Sequence, residues 1–133
     1  MQMKANHSRQ WDPYRAEAKE KWGNTAAYKE YEEKTKNFAK QKWDDLAAGM
    51  DGIMAAFAVC MQKGEMPDSA PAQDLVKMLQ NYITEQYYLC TNEILAGLGR
   101  MYVADARFKN NIDQHADGAA VFICAAIEAY CHN

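Results

Sequence analysis

At 133 residues the chain is long enough for one domain with a single hydrophobic core. Apolar residues make up 49% of it and charged residues 25%, proportions typical of a folded globular protein rather than a disordered one. The net charge of −3 argues against direct binding of DNA or RNA, which requires a concentrated excess of lysine and arginine.

The cysteines and the longest apolar run bear on the cellular compartment. Cys60, Cys90, Cys124 and Cys131 match no spacing of a small secreted disulfide framework, and we expect no signal peptide. The apolar run at residues 119–127 is far shorter than the roughly 20 residues that cross a bilayer. We therefore expect free thiols in a cytoplasmic protein that has no membrane anchor.

The first third of the chain predicts weakly anchored helices. Residues 1–12 are polar and unpatterned, and we expect a flexible terminus there. Residues 13–38 carry opposite charges at the four-residue spacing of exposed helices, with an interruption at Gly23 and a capping Thr25 before a second helix. Because large apolar groups are scarce in this segment, we expect it to be the least stable part of the domain.

A long amphipathic helix follows, ending at Lys63 and Gly64. Its apolar residues recur at steps of three and four: Trp43, Leu46, Met50, Ile53, Met54, Phe57 and Met61. Gly49 and Gly52 lie inside it, each at a cost of about 1 kcal/mol relative to alanine, so we expect a close neighbour on that face. Another helix is favoured over a ligand as that neighbour. The acidic pair at residues 44–45 is interpreted as part of a solvated face.

The next helix has clear start and stop signals. Asp68 or Ser69 is placed to cap it, with Pro71 in its first turn, where proline is tolerated. Thr91 offers the backbone a local hydrogen bond, so the pattern predicts a break just after Cys90.

Two more helices are predicted towards the end of the chain. Asp105 is placed to cap a short helix, and after Gly118 a strongly apolar helix runs from residue 119 to about residue 130. No segment shows the two-residue alternation of a strand. The sequence therefore predicts an all-α domain of six or seven helices.

The residues offer little catalytic chemistry. No nucleophile stands beside a base, the three histidines fit no zinc pattern, and Gly97-x-Gly99 follows a helix, unlike a dinucleotide-binding loop. We expect no enzyme activity, no metal and no cofactor. Eight methionines, eight tyrosines and three tryptophans are a large share for a small helical domain, and they suit either its core or a pocket for varied apolar ligands.

Two stretches carry a resemblance to a known family. Residues 17–28 and residues 87–108, the latter containing Tyr87-Tyr88-Leu89-Cys90 and a Met101-Tyr102-Val103-Ala104-Asp105 segment, resemble the opening and central motifs of the TipAS antibiotic-recognition domain. That domain is the effector-binding part of MerR-type regulators that respond to thiopeptides and other drugs. The resemblance covers about residues 14–130.

The resemblance implies a single globin-like domain that binds apolar macrocyclic or multicyclic antibiotics in a cleft. Residues 13–38 would form a mobile lid and residues 39–133 the helical core. The expected ligand-binding residues are Trp22, Tyr28, Tyr31, Trp43, Met54, Phe57, Tyr82, Gln86, Tyr87, Cys90, Met101, Tyr102 and Phe108. Where the family often has His and Asp, this chain has Tyr82 and Leu89, and ligand preference is expected to differ there.

Cys90 stands where thiopeptide-binding members have a cysteine that adds to a dehydroalanine of the drug. A thiolate is a suitable nucleophile for such an alkene. The alternative is a buried, inert thiol, which is common for cysteines in helical domains.

The resemblance leaves two kinds of protein open. The chain would be either the effector domain of a regulator, reaching DNA and RNA polymerase only through an upstream helix-turn-helix, or a standalone drug-sequestering protein. A different interpretation is a protein-interaction module whose apolar groove accepts a partner helix.

Overall fold

Residues 23–132 are described by a computed structural model, and in this part of the chain there are six helices and no strand. The helices are α1 (Ala26–Thr35), α2 (Lys40–Gln62), α3 (Ala70–Gln86), α4 (Asn92–Ala104), α5 (Ala106–Asp113) and α6 (Ala119–Cys131). The predicted all-α class is confirmed. The expectations for residues 1–22, Trp22 among them, lie outside the described residues.

Local side-chain chemistry sets most of the helix starts. Four helices begin after a side chain that accepts a hydrogen bond from a backbone N–H of the first turn: Thr25, Ser69, Thr91 and Asp105. Such caps satisfy donors that have no partner inside the helix. α6 begins differently, after Gly118, whose φ of 88° is strained for any residue with a side chain. The caps predicted at Thr25, Ser69 and Asp105 are confirmed, and the cap at Thr91 is an addition.

α6 is the central helix of the domain and contacts α2, α3, α4 and α5. Its residues Ile123 and Ile127 are fully buried, as are Phe57 of α2 and Leu95 of α4. α4 approaches α6 closely at Gly99, where a Cβ atom would lie 3.2 Å from the Ile127 side chain. Burial of this kind stabilises each large side chain by roughly 1.5–3 kcal/mol.

The two glycines of α2 have different surroundings. A Cβ atom on Gly49 would lie 2.5 Å from the Tyr82 hydroxyl, so the expected close neighbour is confirmed, and it is a helix, α3. That hydroxyl donates a hydrogen bond to the Leu46 carbonyl over 2.8 Å. Gly52 has no neighbour within 4 Å, so the expectation of close packing there is wrong.

α1 differs from the other helices in what it buries. Thr35 is its only buried residue, and none of its apolar side chains belongs to the core. This agrees with the scarcity of large apolar groups that the sequence shows in this segment. None of the helices described here is both long and apolar enough to cross a membrane.

Candidate functional site

Five aromatic rings meet where α1 lies against α2 and the end of α3. We call Tyr28, Tyr31, Phe38, Trp43 and Tyr87 the aromatic cluster. The ring centroid of Tyr31 lies 5.3 Å from that of Tyr28, 6.2 Å from that of Trp43 and 5.9 Å from that of Tyr87. Phe38 meets Trp43 edge-on at 5.4 Å. These are favourable separations for aromatic pairs, and Tyr31 is the centre of the arrangement.

The members of the aromatic cluster are half-buried rather than fully buried. Four of them were expected at the ligand site from the sequence. Phe38 was not, although it is among the few large apolar groups of residues 13–38, and that scarcity was the signal that could have found it. Half-buried rings on two facing elements offer a surface that a flat apolar molecule can contact without displacing the core.

Two polar contacts add to the docking of α1. Lys34 Nζ donates to the Thr84 carbonyl over 3.0 Å, and the Leu89 N–H donates to Glu30 Oε1 over 3.1 Å. Glu30 and Lys34 also pair with each other at 3.4 Å. All of these contacts are exposed, where each contributes about 1 kcal/mol or less.

The segment between α3 and α4 is held by side chains from both flanking helices. The Cys90 N–H donates to Thr84 Oγ1 over 3.1 Å. Gln80 Nε2 donates to the Cys90 carbonyl over 2.8 Å and to Asn92 Oδ1 over 2.9 Å, while the Tyr130 hydroxyl donates to Gln80 Oε1 over 3.1 Å. A break is present, but it begins earlier than the predicted position just after Cys90: α3 ends at Gln86, and residues 87–91, Cys90 included, lie between the helices.

The Cys90 thiol is poorly placed for nucleophilic chemistry. The residue is 3% exposed, and its Sγ lies 3.9 Å from the Thr91 carbonyl oxygen. Burial raises the pKa of the thiol to about 11, with a smaller contribution from the neighbouring Cys131. Because the thiolate is the reactive form, this arrangement favours the inert-thiol interpretation over covalent capture.

The other expected ligand-binding residues lie outside the aromatic cluster. Met54, Phe57 and Tyr102 are buried in the core. Gln86 and Met101 are half-buried, and so is Phe108, whose ring lies 5.8 Å from that of Tyr102. A ligand contact by any of these residues stays a prediction.

Tyr82 packs over Gly49, and burial raises the pKa of its hydroxyl. It also lines an open groove of about 420 Å³ along α3, with Asp74, Lys77, Met78, Asn81 and Glu85.

Asp44 is buried, contrary to the interpretation of residues 44–45 as a solvated face. It is 9% exposed, and its Oδ1 accepts no hydrogen bond from any residue that the structure describes. Its Oδ2 lies 3.6 Å from Lys40 Nζ. The interpretation holds for Asp45, which is exposed and accepts a hydrogen bond from Gln41 over 2.8 Å. Within residues 23–132, no three His, Cys, Asp or Glu side chains converge as metal ligands would.

Comparison with known proteins places this site in a family context. The sequence profile of the TipAS antibiotic-recognition domain matches residues 14–130. The HTH-type transcriptional activator TipA of Streptomyces coelicolor is 37% identical over 118 residues, which cover 89% of this chain and 47% of TipA. The HTH-type transcriptional activator mta of Bacillus subtilis is 34% identical over 118 residues, covering 89% of this chain and 45% of the relative. The chain thus spans about half the length of these relatives.

A solved structure agrees in fold as well as in sequence. It is the TipAS protein of a thiopeptide antibiotic multidrug resistance system from Streptomyces lividans, in complex with nosiheptide. It superposes with a TM-score of 0.81 at 36% identity, covering 92% of this chain and 85% of that one, and the expected globin-like helical fold is consistent with it. Sequence and structure together show that the chain belongs to the TipAS antibiotic-recognition domain family.

Proposed function

We propose that this domain binds bulky, largely apolar antibiotic-like compounds, such as thiopeptides or other multicyclic molecules, at the aromatic cluster. The observation that carries the proposal is the position of Tyr31, whose ring lies about 6 Å from both Trp43 and Tyr87 on two other elements. A ligand that enters between these rings exchanges aromatic contacts within the protein for contacts with itself. The TipAS relative that binds nosiheptide supports this ligand class.

α1 acts in this proposal as the lid of the site. It is attached by half-buried rings and exposed polar contacts, while the core is complete without its apolar side chains. Opening α1 therefore exposes little apolar surface, and closing it over a ligand is opposed mainly by the conformational entropy of the segment. Ligand contacts offset that entropy.

The relatives suggest how binding is used. TipA and mta are transcriptional activators about twice as long as this chain. In the same way, this domain would sense a drug for a MerR-type regulator and reach DNA and RNA polymerase only through a helix-turn-helix upstream. The second use, sequestration by a standalone cytoplasmic protein, requires the same site. The reading frame upstream of Met1 distinguishes the two.

The proposal also holds that the domain binds its ligand without a chemical reaction. The match is to a family defined by antibiotic recognition. The raised pKa of the Cys90 thiol supports reversible binding over a covalent reaction. Mass spectrometry after incubation with nosiheptide is expected to show the unmodified protein mass, and an adduct lost in Cys90→Ser would contradict this.

Isothermal titration calorimetry with nosiheptide tests the ligand class. We expect micromolar or tighter binding and at least tenfold weaker binding by Tyr31→Ala, because the substitution removes the ring at the centre of the cluster. Met66→Ala is the matched control, since Met66 is 64% exposed in the turn between α2 and α3. Equal loss in both variants, or no binding of nosiheptide and related multicyclic drugs by the wild type, would contradict the proposal.

Hydrogen exchange tests the lid. We expect exchange in residues 26–35 to slow markedly when nosiheptide is added, while residues 119–131, at the centre of the core, change little. Equal protection of residues 26–35 with and without ligand would rule out a lid, even if the ligand binds.

A further inference from the structure

Asp44 is buried although it lies away from the core face of α2. The core face of α2 is formed by Leu46, Ile53 and Phe57. Asp44 is about 140° away from Phe57 around a regular helix, at roughly 100° per residue. It is nevertheless only 9% exposed, and its Oδ1 has no hydrogen-bond partner among residues 23–132.

A buried carboxylate oxygen without a hydrogen-bond donor is unfavourable, because burial removes its hydrogen bonds to water and no protein hydrogen bond replaces them. Lys40 compensates only in part. Its Nζ is 3.6 Å from Oδ2, not Oδ1, and its side chain is 57% exposed, so solvent screens the pair. One lone-pair site of Asp44 therefore remains available inside the protein.

Asp44 is the next residue along α2 from Trp43, a member of the aromatic cluster. The Trp43 ring contacts both Tyr31 and Phe38. Consecutive helical residues point about 100° apart, so Trp43 and Asp44 leave adjoining sides of the first turns of α2, one with an apolar ring and the other with a buried acceptor. An apolar contact surface with one well-placed polar group is the usual composition of a small-molecule site.

We propose that Asp44 Oδ1 accepts a hydrogen bond from the bound ligand. The ligands of this domain then combine an apolar multicyclic surface, which contacts the aromatic cluster, with an N–H, O–H or ammonium donor at its edge. This inference rests on the proposed function and narrows it. A ligand that brings the donor satisfies the buried oxygen, and a ligand without one leaves it unsatisfied.

The test compares the variants Asp44→Asn and Asp44→Leu with the control variant Asp45→Asn. Asp45 is exposed and already accepts a hydrogen bond from Gln41. The probes are nosiheptide and a matched pair, 1-(aminomethyl)pyrene and 1-methylpyrene, which share a ring system and differ in the donor. We expect the wild type to prefer the aminomethyl compound by about 10- to 100-fold, a preference lost in Asp44→Leu and kept in Asp45→Asn. We expect the affinity for nosiheptide to fall at least tenfold in Asp44→Leu. We expect it to fall in Asp44→Asn as well, relative to the wild type.

Stability of the ligand-free protein separates this role from a structural one. We expect Asp44→Leu to raise Tm by about 2–5 °C, because it removes an unsatisfied buried charge, while it weakens binding. A lower Tm in both Asp44 variants would assign Asp44 to the fold and overturn the inference. So would unchanged affinities for all three probes.

The result also distinguishes the inference from the proposed function. If nosiheptide binds the wild type and both Asp44 variants equally well, the inference fails and the proposed function stands. If no probe binds the wild type, the proposed function fails, and the inference fails with it.

Discussion

α1 and α6 are attached to the domain in opposite ways. α6 buries Ile123 and Ile127 completely at the centre of the core, whereas α1 buries no apolar side chain and docks through Tyr31 and exposed polar contacts. Burial of apolar area stabilises a helix whether or not a ligand is present. A half-buried ring contact can be replaced by a ligand contact at little net cost. In the proposed function, the helix that closes over the ligand is therefore a different one from the helix at the centre of the core.

The strongest test of this separation is a pair of truncations. Leu95→Ala, in the α4 face that packs on α6, is expected to lower the free energy of unfolding by about 2–5 kcal/mol, since Leu95 is fully buried. Tyr31→Ala is expected to lower it by about 1 kcal/mol or less. Urea unfolding followed by circular dichroism measures both. A loss for Tyr31→Ala as large as that for Leu95→Ala would show that α1 belongs to the stable core.

The second test follows folding stability against pH and concerns Cys90, the buried residue of the segment between α3 and α4. Its pKa of about 11 exceeds the ordinary value of 9.0, so the folded protein holds this proton more tightly than the unfolded chain. The stability contributed by the neutral thiol is complete below pH 9 and is lost as pH rises towards 11.

Two measurements check this expectation. The stability difference between the wild type and Cys90→Ala should shrink between pH 9 and 11, and iodoacetamide should alkylate Cys90 in the folded protein about 100-fold more slowly than an ordinary thiol near pH 7.5. Fast alkylation at neutral pH would contradict the buried position and revive covalent capture.

The third test separates the two glycines of α2. Gly49→Ala is expected to destabilise the domain by about 1–2 kcal/mol, because the new methyl group displaces the Tyr82 ring and its hydrogen bond to Leu46. Gly52→Ala, in open space within the same helix, should instead stabilise it by about 0.5–1 kcal/mol. Thermal unfolding of both variants measures these effects. Stabilisation by Gly49→Ala would show that the α2–α3 contact is looser than described, and destabilisation by Gly52→Ala would show that position 52 has a close neighbour.

The smallest expected effect concerns the polar attachment of α1. Glu30→Gln keeps an acceptor for the Leu89 N–H but removes the charge that pairs with Lys34. We expect a change in unfolding free energy of about 0.5 kcal/mol or less, with faster hydrogen exchange confined to residues 26–35. A larger change, or one that spreads to α6, would mean that α1 and the core unfold together.

Features determined by neighbouring residues were predictable from the sequence. The caps at Thr25, Ser69 and Asp105 depend on a side chain and the N–H groups two or three positions later, and these three predictions are confirmed. The same holds for the all-α class and for the existence of a break before α4, although not for the residue at which it begins.

Features determined by distant residues were not predictable. Gly49 and Gly52 look alike in sequence, yet only Gly49 faces α3. Asp44 and Asp45 are adjacent carboxylates, yet only Asp44 is buried. The burial of Cys90 likewise depends on which elements pack around it. The aromatic cluster was partly predictable, because Tyr28 and Tyr87 stand in the family motifs, whereas Phe38 gains its place from contact with Trp43.

The Gln80 amide affects which substitutions this domain can accept at residue 89. It fixes the backbone between α3 and α4 by binding the Cys90 carbonyl and Asn92, while the Leu89 side chain remains 60% exposed. The backbone of this segment is therefore held by contacts that do not involve the Leu89 side chain. Substitutions of Leu89 can alter the surface offered next to Tyr87 without moving the segment that carries it. We expect substitutions at this exposed position to change ligand preference while changing folding stability by about 0.5 kcal/mol or less.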